Sequence, residues 1–181
     1  MIPESKSTII SLIDLQERLC GAIERSKEIL PRIKILLEGA KTLGIPVVAT
    51  EQYPQGLGAT LPELKEILPP DTAFLSKTSF SCFGTEDYRK ELAKMSKGSL
   101  VLVGVESHVC VLQTAIDAVS RGYEVYVPED CVASRRESDQ TAALAFMRSS
   151  GIHIVTSEML LFMLLRDASH PDFKTISKII R

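Results

Sequence analysis

The chain has 181 residues, 45% of them hydrophobic and 24% charged, which is an ordinary composition for a globular protein, and we expect a single domain over residues 1–181. Its net charge of -2 and pI ≈ 6.0 leave no basic surplus, so nucleic acid is not an expected partner. No apolar run is long enough to span a membrane, and the N-terminus lacks a signal peptide's long apolar core. The four cysteines form no Cys-x-x-Cys unit, which indicates reduced thiols in a cytoplasmic protein without membrane contact.

Strand-like and helix-like stretches alternate along the whole chain. Short apolar runs predict six strands, at residues 8–13, 45–50, 73–76, 99–103, 124–127 and 152–155. Helical spacing predicts seven helices, at residues 26–43, 61–68, 85–95, 107–121, 138–150, 157–166 and 172–180. Pro31 lies inside the first predicted helix, which either begins there or bends, and Gly44 is predicted to end it. The stretches 51–60 and 77–84 are predicted to be loops.

This alternation predicts an α/β fold. We expect a three-layer αβα sandwich of the Rossmann-like kind, with an open, mostly parallel sheet of about six strands. Ligands in such folds bind beyond the carboxyl ends of the strands. Polar residues that directly follow a strand are therefore the first candidates for a functional site.

An acid, an amine and a thiol follow predicted strands. Asp14 follows the first strand and Lys77 the third, while Cys110 closes the stretch GVESHVC at 104–110, between the fourth strand and a helix. A thiol becomes a strong nucleophile when it ionises, which a helix N-terminus and a nearby cation both favour. In this pattern Cys110 is a candidate nucleophile, Lys77 its cation and Asp14 an acid–base group. Backbone N–H groups at the helix start could bind an oxyanion.

Structural explanations compete with each of these assignments. Asp14 could cap a turn, Lys77 could be a solvated loop charge, and Cys110 alone is more often a small core residue than a nucleophile. His108 lies two residues from Cys110 on a helix and is interpreted as a wall or surface residue. Asp130, after the fifth strand, could bind a neighbouring turn.

Metal and phosphate signatures are weak in this sequence. The three histidines are scattered, and neither G-x-G-x-x-G nor G-x-x-x-x-G-K-[ST] occurs. No metal and no cofactor are therefore expected.

Three segments carry a resemblance to a known family. In chain order they are Ile13-Asp14, Ser76-Lys77 and GVESHVCV at 104–111, and together they resemble the isochorismatase-like cysteine hydrolases, which include nicotinamidases and N-carbamoylsarcosine amidase. The stretches TEQYP at 50–54, KTSFSCFG at 77–84 and HPDFK at 170–174 are similar to the branch of isochorismatase domain-containing proteins. The similarity covers nearly the whole chain.

The resemblance implies a catalytic triad of Asp14 as acid–base group, Lys77 as charge stabiliser and Cys110 as nucleophile. It also implies a cis peptide bond between Val105 and Glu106, which turns backbone N–H groups toward an oxyanion. The implied reaction is thiolate attack on a carbonyl, loss of an amine and hydrolysis of the resulting thioester.

Other positions concern the substrate. Nicotinamidases carry an Asp-x-His metal motif after the second strand, whereas this chain has Glu51-Gln-Tyr53, so a nicotinamidase with its usual metal is not expected. Tyr53, Phe80 and Phe83 are candidates for the lining of a small apolar pocket, although the phenylalanines could simply pack the loop or a subunit contact. Gln16 is a candidate substrate contact, but a glutamine that starts a helical segment needs no such role.

These observations predict a metal-independent cysteine hydrolase acting on an amide, ureido or related C–N bond of a small-molecule substrate. One alternative is an interaction or scaffolding protein of the same fold with little or no turnover. Another is a redox-sensing protein in which Cys82 or Cys131 resolves oxidised Cys110. The apolar C-terminal helices favour a homo-oligomer, as is common in the family, although packing onto the same subunit explains them equally well.

Overall fold

The structure is a computed structural model that describes residues 2–94 and 98–181. Within these residues the strands are β1 Thr8–Ile13, β2 Val47–Gln52, β3 Ala73–Lys77, β4 Ser99–Val105, β5 Glu124–Pro128, β6 Val132–Ala133 and β7 His153–Val155. The α-helices are α1 Glu17–Ala22, α2 Ser26–Thr42, α3 Pro54–Leu57, α4 Pro62–Lys65, α5 Glu86–Ala93, α6 Leu112–Ser120, α7 Glu137–Ser149, α8 Ser157–Leu165 and α9 Phe173–Ile179.

The strands form one sheet in the order β3-β2-β1-β4-β5-β7, and β6 pairs with the end of β4. The named strands pair in parallel throughout this sheet. From β1 the chain moves outward to β2 and β3, then returns to place β4 on the other side of β1. The point between β1 and β4 is thus a topological switch point, where open α/β sheets bind their ligands.

Each face of the sheet has its own hydrophobic cluster. In β1, Ile10 and Leu12 join the cluster that contains α2 and α8, while Ile9 and Ile13 join the cluster that contains α5 and α6. Successive side chains of a strand point to opposite faces, so a strand covered on both sides needs apolar residues at successive positions. The predicted αβα sandwich with a mostly parallel sheet is therefore confirmed.

Several short elements differ from the sequence prediction. The hydrophobic pattern does not predict α1 or β6, and the predicted loop 51–60 contains the end of β2 and all of α3. Elements of two to six residues show too few periods for a hydrophobic pattern to identify them. The helix predicted at 85–95 is α5, and Met95 lies outside the described residues. Pro31 is interior to α2, which begins at Ser26.

The C-terminal helices α8 and α9 pack against their own subunit. Both contact α2, and their buried side chains include Leu160, Leu161, Leu164 and Ile176. These residues need no second subunit to cover them. No helix in the described part of the chain is long and apolar enough to cross a membrane.

Candidate active site

The switch point of the sheet brings Asp14, Lys77 and Cys110 together. Asp14 directly follows β1, Lys77 ends β3, and Cys110 lies in a π-helical turn, Ser107–Val111, that follows β4. Because parallel strands end at the same edge, three positions distant in sequence meet here. The predicted α-helix 107–121 is therefore observed as this wider turn followed by α6, and such turns often mark functional sites.

A glycine permits the close approach of β1 and β4 at this point. Gly104 pairs with Ile13 and has a φ of +119°. A Cβ atom at Gly104 would lie 2.1 Å from the carbonyl oxygen of Ile13. A residue with a side chain would therefore push apart the two strands that carry Asp14 and the cysteine turn.

Asp14 and Lys77 form a buried ion pair. Lys77 Nζ donates to Asp14 Oδ2 at 2.7 Å, and the two side chains are 1% and 0% exposed. Thr50 Oγ1 donates to the second carboxylate oxygen, Asp14 Oδ1, at 2.8 Å. Burial opposes the charge on Lys77 most strongly, but the carboxylate of Asp14, together with the nearby thiols of Cys110 and Cys82, outweighs burial and raises the pKa of the ammonium. The amine is thus held as a cation.

Lys77 has further acceptors that fix its position. Its Nζ donates to Gln52 Oε1 at 2.6 Å and to the backbone carbonyls of Ser79 and Phe80, both at 3.2 Å. Gln52 is in turn anchored, since its Nε2 donates to the carbonyl of Thr78 at 2.9 Å. Sequence analysis did not identify Gln52 as a site residue.

The Cys110 thiol lies next to this ion pair. Lys77 Nζ donates to Cys110 Sγ at 3.6 Å, and the Asp14 carboxylate is near enough to act on the thiol electrostatically. Burial and the nearby Asp14 carboxylate raise the pKa of this thiol, and the cation of Lys77 only partly offsets them. This direction of shift favours the protonated thiol in the resting site, next to a carboxylate that can accept its proton. Ionisation of the thiol at the N-terminus of the turn stays a prediction.

The turn before Cys110 contains a cis peptide bond between Val105 and Glu106, at the position that the family resemblance implies. Both residues are buried. The carbonyl of Glu106 accepts from the N–H groups of Val109 and Val111, at 3.1 and 3.2 Å, which closes the turn around the cysteine.

A cavity of about 280 Å³ opens beside Cys110. Its walls are mostly apolar and include Leu19, Leu57, Phe80 and Val109, together with Gln52, Glu106, Cys110 and Arg135. Such a volume suits a small molecule rather than a polymer segment. Of the four predicted pocket residues, only Phe80 lines this cavity.

A second ion pair lies in the wall of the cavity. Arg135 donates to Glu106 through Nη2 at 2.7 Å, Nε at 3.1 Å and its backbone N–H at 3.0 Å. Burial opposes ionisation of Glu106, but these bonds outweigh it and lower the pKa of the carboxyl. The Glu106 side chain is only 6% exposed, whereas that of Arg135 is 62% exposed.

The other three predicted pocket residues lie elsewhere. Gln16 is fully buried: its Nε2 donates to the carbonyls of Gln52 and Gly58, and its Oε1 accepts from the N–H of Gln52. It thus supports the loop behind the cavity instead of contacting a substrate. Tyr53 is exposed and lines a different surface depression, and Phe83 is a core residue that packs edge-on against Tyr88.

The remaining polar candidates have structural contacts. His108 Nδ1 lies 2.9 Å from Ser134 Oγ, consistent with a wall residue. Asp130 accepts from the N–H and hydroxyl of Ser157, at 2.8 and 2.6 Å, and so holds the start of α8 as one alternative expected. Among the described residues, no group of three His, Cys, Asp or Glu side chains is arranged to hold a metal ion.

All four cysteines are free thiols, and the two considered as partners for Cys110 differ in position. Cys82 lies beside the site, 3.8 Å from Thr50 Oγ1, in the same hydrophobic cluster as Cys110. Cys131 belongs to the cluster on the opposite face of the sheet. A disulfide between Cys110 and Cys131 therefore receives no support from the fold.

Residues 8–159 match the Isochorismatase domain family. The chain belongs to this family. Mouse isochorismatase domain-containing protein 2A is 43% identical over 184 residues, an alignment that covers 100% of this chain and 85% of the mouse protein. The family membership that the sequence motifs indicated is thus confirmed.

Two solved structures have the same fold as this chain. The MAR1 ribonuclease of Caenorhabditis elegans is 38% identical, with a TM-score of 0.92 over 98% of this chain and 91% of that one. The YcaC gene product of Escherichia coli, described as an octameric hydrolase of unknown specificity, is 22% identical with a TM-score of 0.87, covering 98% of this chain and 96% of that one. Because of its low identity, the second likeness shows the fold alone. The printed names of the two proteins, a ribonuclease and a hydrolase of unknown specificity, do not agree on one substrate.

Proposed function

We propose that this protein is a metal-independent cysteine hydrolase that cleaves an amide, ureido or related C–N bond of a small molecule. The observation that carries the proposal is the position of Cys110 Sγ, 3.6 Å from the Lys77 ammonium, which is itself paired with Asp14 at 2.7 Å, and next to a small cavity. A thiol, a proton acceptor and a cation grouped in this way are the parts that nucleophilic acyl transfer requires.

In the proposed first step, Asp14 takes the thiol proton as Cys110 Sγ attacks the substrate carbonyl carbon. The carbonyl oxygen becomes an oxyanion, which the backbone N–H groups of the turn from Glu106 to Cys110 bind. Asp14 then returns the proton to the nitrogen, the C–N bond breaks, and an amine or ammonia leaves a thioester on Cys110. Lys77 holds the Asp14 carboxylate in place through their 2.7 Å bond and stabilises the developing thiolate.

In the second step, Asp14 removes a proton from water, which attacks the thioester carbonyl. The C–S bond breaks, the carboxylic or carbamic acid leaves, and the proton passes back to the sulfur. Atoms and charges balance without a redox partner. No step needs a metal, and the side chain at the position of the family's metal motif is already engaged, since Glu51 Oε1 accepts from the N–H and hydroxyl of Thr60.

The test is a panel of small amides and ureido compounds, with release of ammonia or amine as the measurement. Cys110→Ala should lower the rate by about a thousandfold or more, because removal of a covalent nucleophile leaves only binding and oxyanion stabilisation. Cys131→Ala is the matched control, since it also removes a buried thiol but lies on the other face of the sheet. Its activity should stay near that of the wild type.

Two outcomes would contradict the proposal. One is amide hydrolysis that survives Cys110→Ala, which would end the nucleophile assignment. The other is cleavage of RNA, tested in parallel because one relative is named a ribonuclease, with no turnover of any small C–N substrate. The chain's net charge of -2 and the small volume of the cavity both favour the small-molecule reaction.

A further inference from the structure

The charged side chains around the cavity are matched in pairs. Asp14 and Lys77 neutralise each other next to the thiol, and Glu106 and Arg135 neutralise each other in the wall. The other described residues that line the cavity are uncharged; they are Leu19, Gln52, Leu57, Phe80, Val109 and the protonated Cys110. A molecule that enters the cavity therefore contacts apolar side chains and the side-chain amide of Gln52. The ion pairs leave the lining without a net positive or negative charge.

We propose that the Glu106–Arg135 pair sets the charge selectivity of the cavity, and that the substrate is an uncharged amide or ureido compound with a short apolar group. This inference rests on the proposed function for the reaction itself. A substrate carboxylate would be repelled by the carboxylate of Glu106 and would compete with it for Arg135. A substrate ammonium would be repelled by Arg135 and would compete with it for Glu106. An uncharged compound covers the apolar wall and leaves both ion pairs intact.

The chain offers a variant that breaks the pair with little change in shape. Arg135→Leu removes the guanidinium, while the backbone N–H of residue 135 keeps its 3.0 Å bond to Glu106 Oε2, so the buried carboxylate stays in place. The cavity then holds one uncompensated negative charge. Glu106→Gln has the opposite effect, because it leaves the positive charge of Arg135 with only the more distant carboxylate of Asp139 to offset it.

Arg136→Leu is the matched control. Arg136 is the next residue, is exposed, and does not line the cavity. The substitution removes the same charge from the protein as Arg135→Leu does. A change that reflects only net charge would appear equally in both variants.

The experiment measures the rate at which three thiol reagents with the same two-carbon chain label Cys110. They are hydroxyethyl, sulfonatoethyl and aminoethyl methanethiosulfonate, which are neutral, anionic and cationic. Mass spectrometry assigns the label to Cys110, and each rate is divided by that of a small free thiol. These normalised labelling rates report the electrostatic potential at Cys110. They can be measured whether or not the protein hydrolyses a substrate.

In the wild type we expect the three normalised rates to differ by less than about threefold. Arg135→Leu should shift the cation-to-anion ratio by roughly tenfold toward the cation, Glu106→Gln should shift it toward the anion, and Arg136→Leu should leave it unchanged. Strong selectivity in the wild type, or equal ratios in Arg135→Leu and Arg136→Leu, would overturn the inference. If Glu106→Gln does not fold, the comparison of Arg135→Leu with Arg136→Leu still tests whether the ion pair sets the charge selectivity.

The labelling experiment and the proposed hydrolase function can fail independently. If the cation-to-anion labelling ratio shifts as expected but no amide is hydrolysed, the hydrolase proposal is contradicted and the role of the Glu106–Arg135 pair is supported. Turnover with unshifted ratios would contradict the charge balance alone. Where both hold, uncharged amides should have higher kcat/KM than matched analogues that carry a carboxylate or an ammonium, and Arg135→Leu should improve the ammonium analogue relative to the others.

Discussion

Asp14 and Lys77 are each other's main source of charge compensation in a place that solvent barely reaches. Removing either charge leaves the other buried and uncompensated, whereas removing both leaves an uncharged interior. We therefore expect Asp14→Asn and Lys77→Met each to lower the free energy of unfolding by about 3–5 kcal/mol. The double variant should lose about 2–3 kcal/mol less than the sum of the two. Urea unfolding of the four proteins measures this coupling.

A surface ion pair in the same protein provides the comparison. Lys90 and Glu86 lie 2.9 Å apart on α5, and their side chains are 63% and 70% exposed. Solvent screens this pair, so the corresponding variants should show little coupling. Additive losses at Asp14 and Lys77 would mean that the two groups do not depend on each other for charge, against the geometry described above.

At the level of elements, the site depends on how closely β4 approaches β1. Gly104→Ala places a methyl group against the carbonyl of Ile13, in a backbone conformation that L-residues rarely adopt. We expect it to lower the free energy of unfolding by more than about 3 kcal/mol, because backbone on both strands has to move. Activity of any folded fraction should fall as well, since the movement separates Asp14 from Cys110.

Gly122→Ala isolates the contribution of backbone conformation. Gly122 also has a positive φ, +85°, but an added Cβ would meet nothing within 4 Å. Its cost should be about 1–2 kcal/mol, which is the penalty of the left-handed conformation without a clash. Equal losses in the two variants would show that the contact between β1 and β4 is not what Gly104 protects.

The elements also show what the sequence can predict. Buried parallel strands are apolar runs bounded by polar residues, so their ends, and with them Asp14, Lys77 and Cys110, are visible in the sequence. Gln52 ends β2 and carries the same signal, but the predicted strand stopped at residue 50, which left Gln52 in the predicted loop 51–60. Arg135 carries no such signal, because it reaches the site through a side-chain contact with Glu106, 29 positions away. The orientation of a side chain within a loop, as for Tyr53 and Phe83, has no periodic signal either.

For the whole molecule, self-association remains a prediction. The C-terminal leucines are covered within the subunit, but Phe146, Met159 and Phe162 are between 41% and 56% exposed, which leaves apolar surface for a second copy. Light scattering on the purified protein should give a mass of at least twice that of the chain. A monomer at micromolar concentration would contradict this expectation.

Four buried thiols make the stability of the whole chain sensitive to alkaline pH. Burial raises the pKa of Cys20 and of Cys82 from 9.0 to about 11, and it raises the pKa values of Cys110 and Cys131 as well. In the unfolded chain these thiols lose their protons near pH 9, while in the folded chain they keep them. The stability that the protonated thiols contribute is therefore complete below pH 9 and is lost as the pH rises toward the folded values.

Between pH 9 and about 11, Cys20 and Cys82 should each reduce the free energy of unfolding by about 1.4 kcal/mol per pH unit, on top of the contributions of the other two. Urea unfolding at pH 8 and at pH 10.5 should reveal a loss of several kcal/mol. Cys20→Ala, away from the site, should be less stable than the wild type at pH 8 because it loses packing, yet fall less steeply between the two pH values. If the free energy of unfolding falls equally steeply with pH in the two proteins, Cys20 does not stay protonated in the folded chain. Its burial would then contribute nothing to the pH dependence of stability.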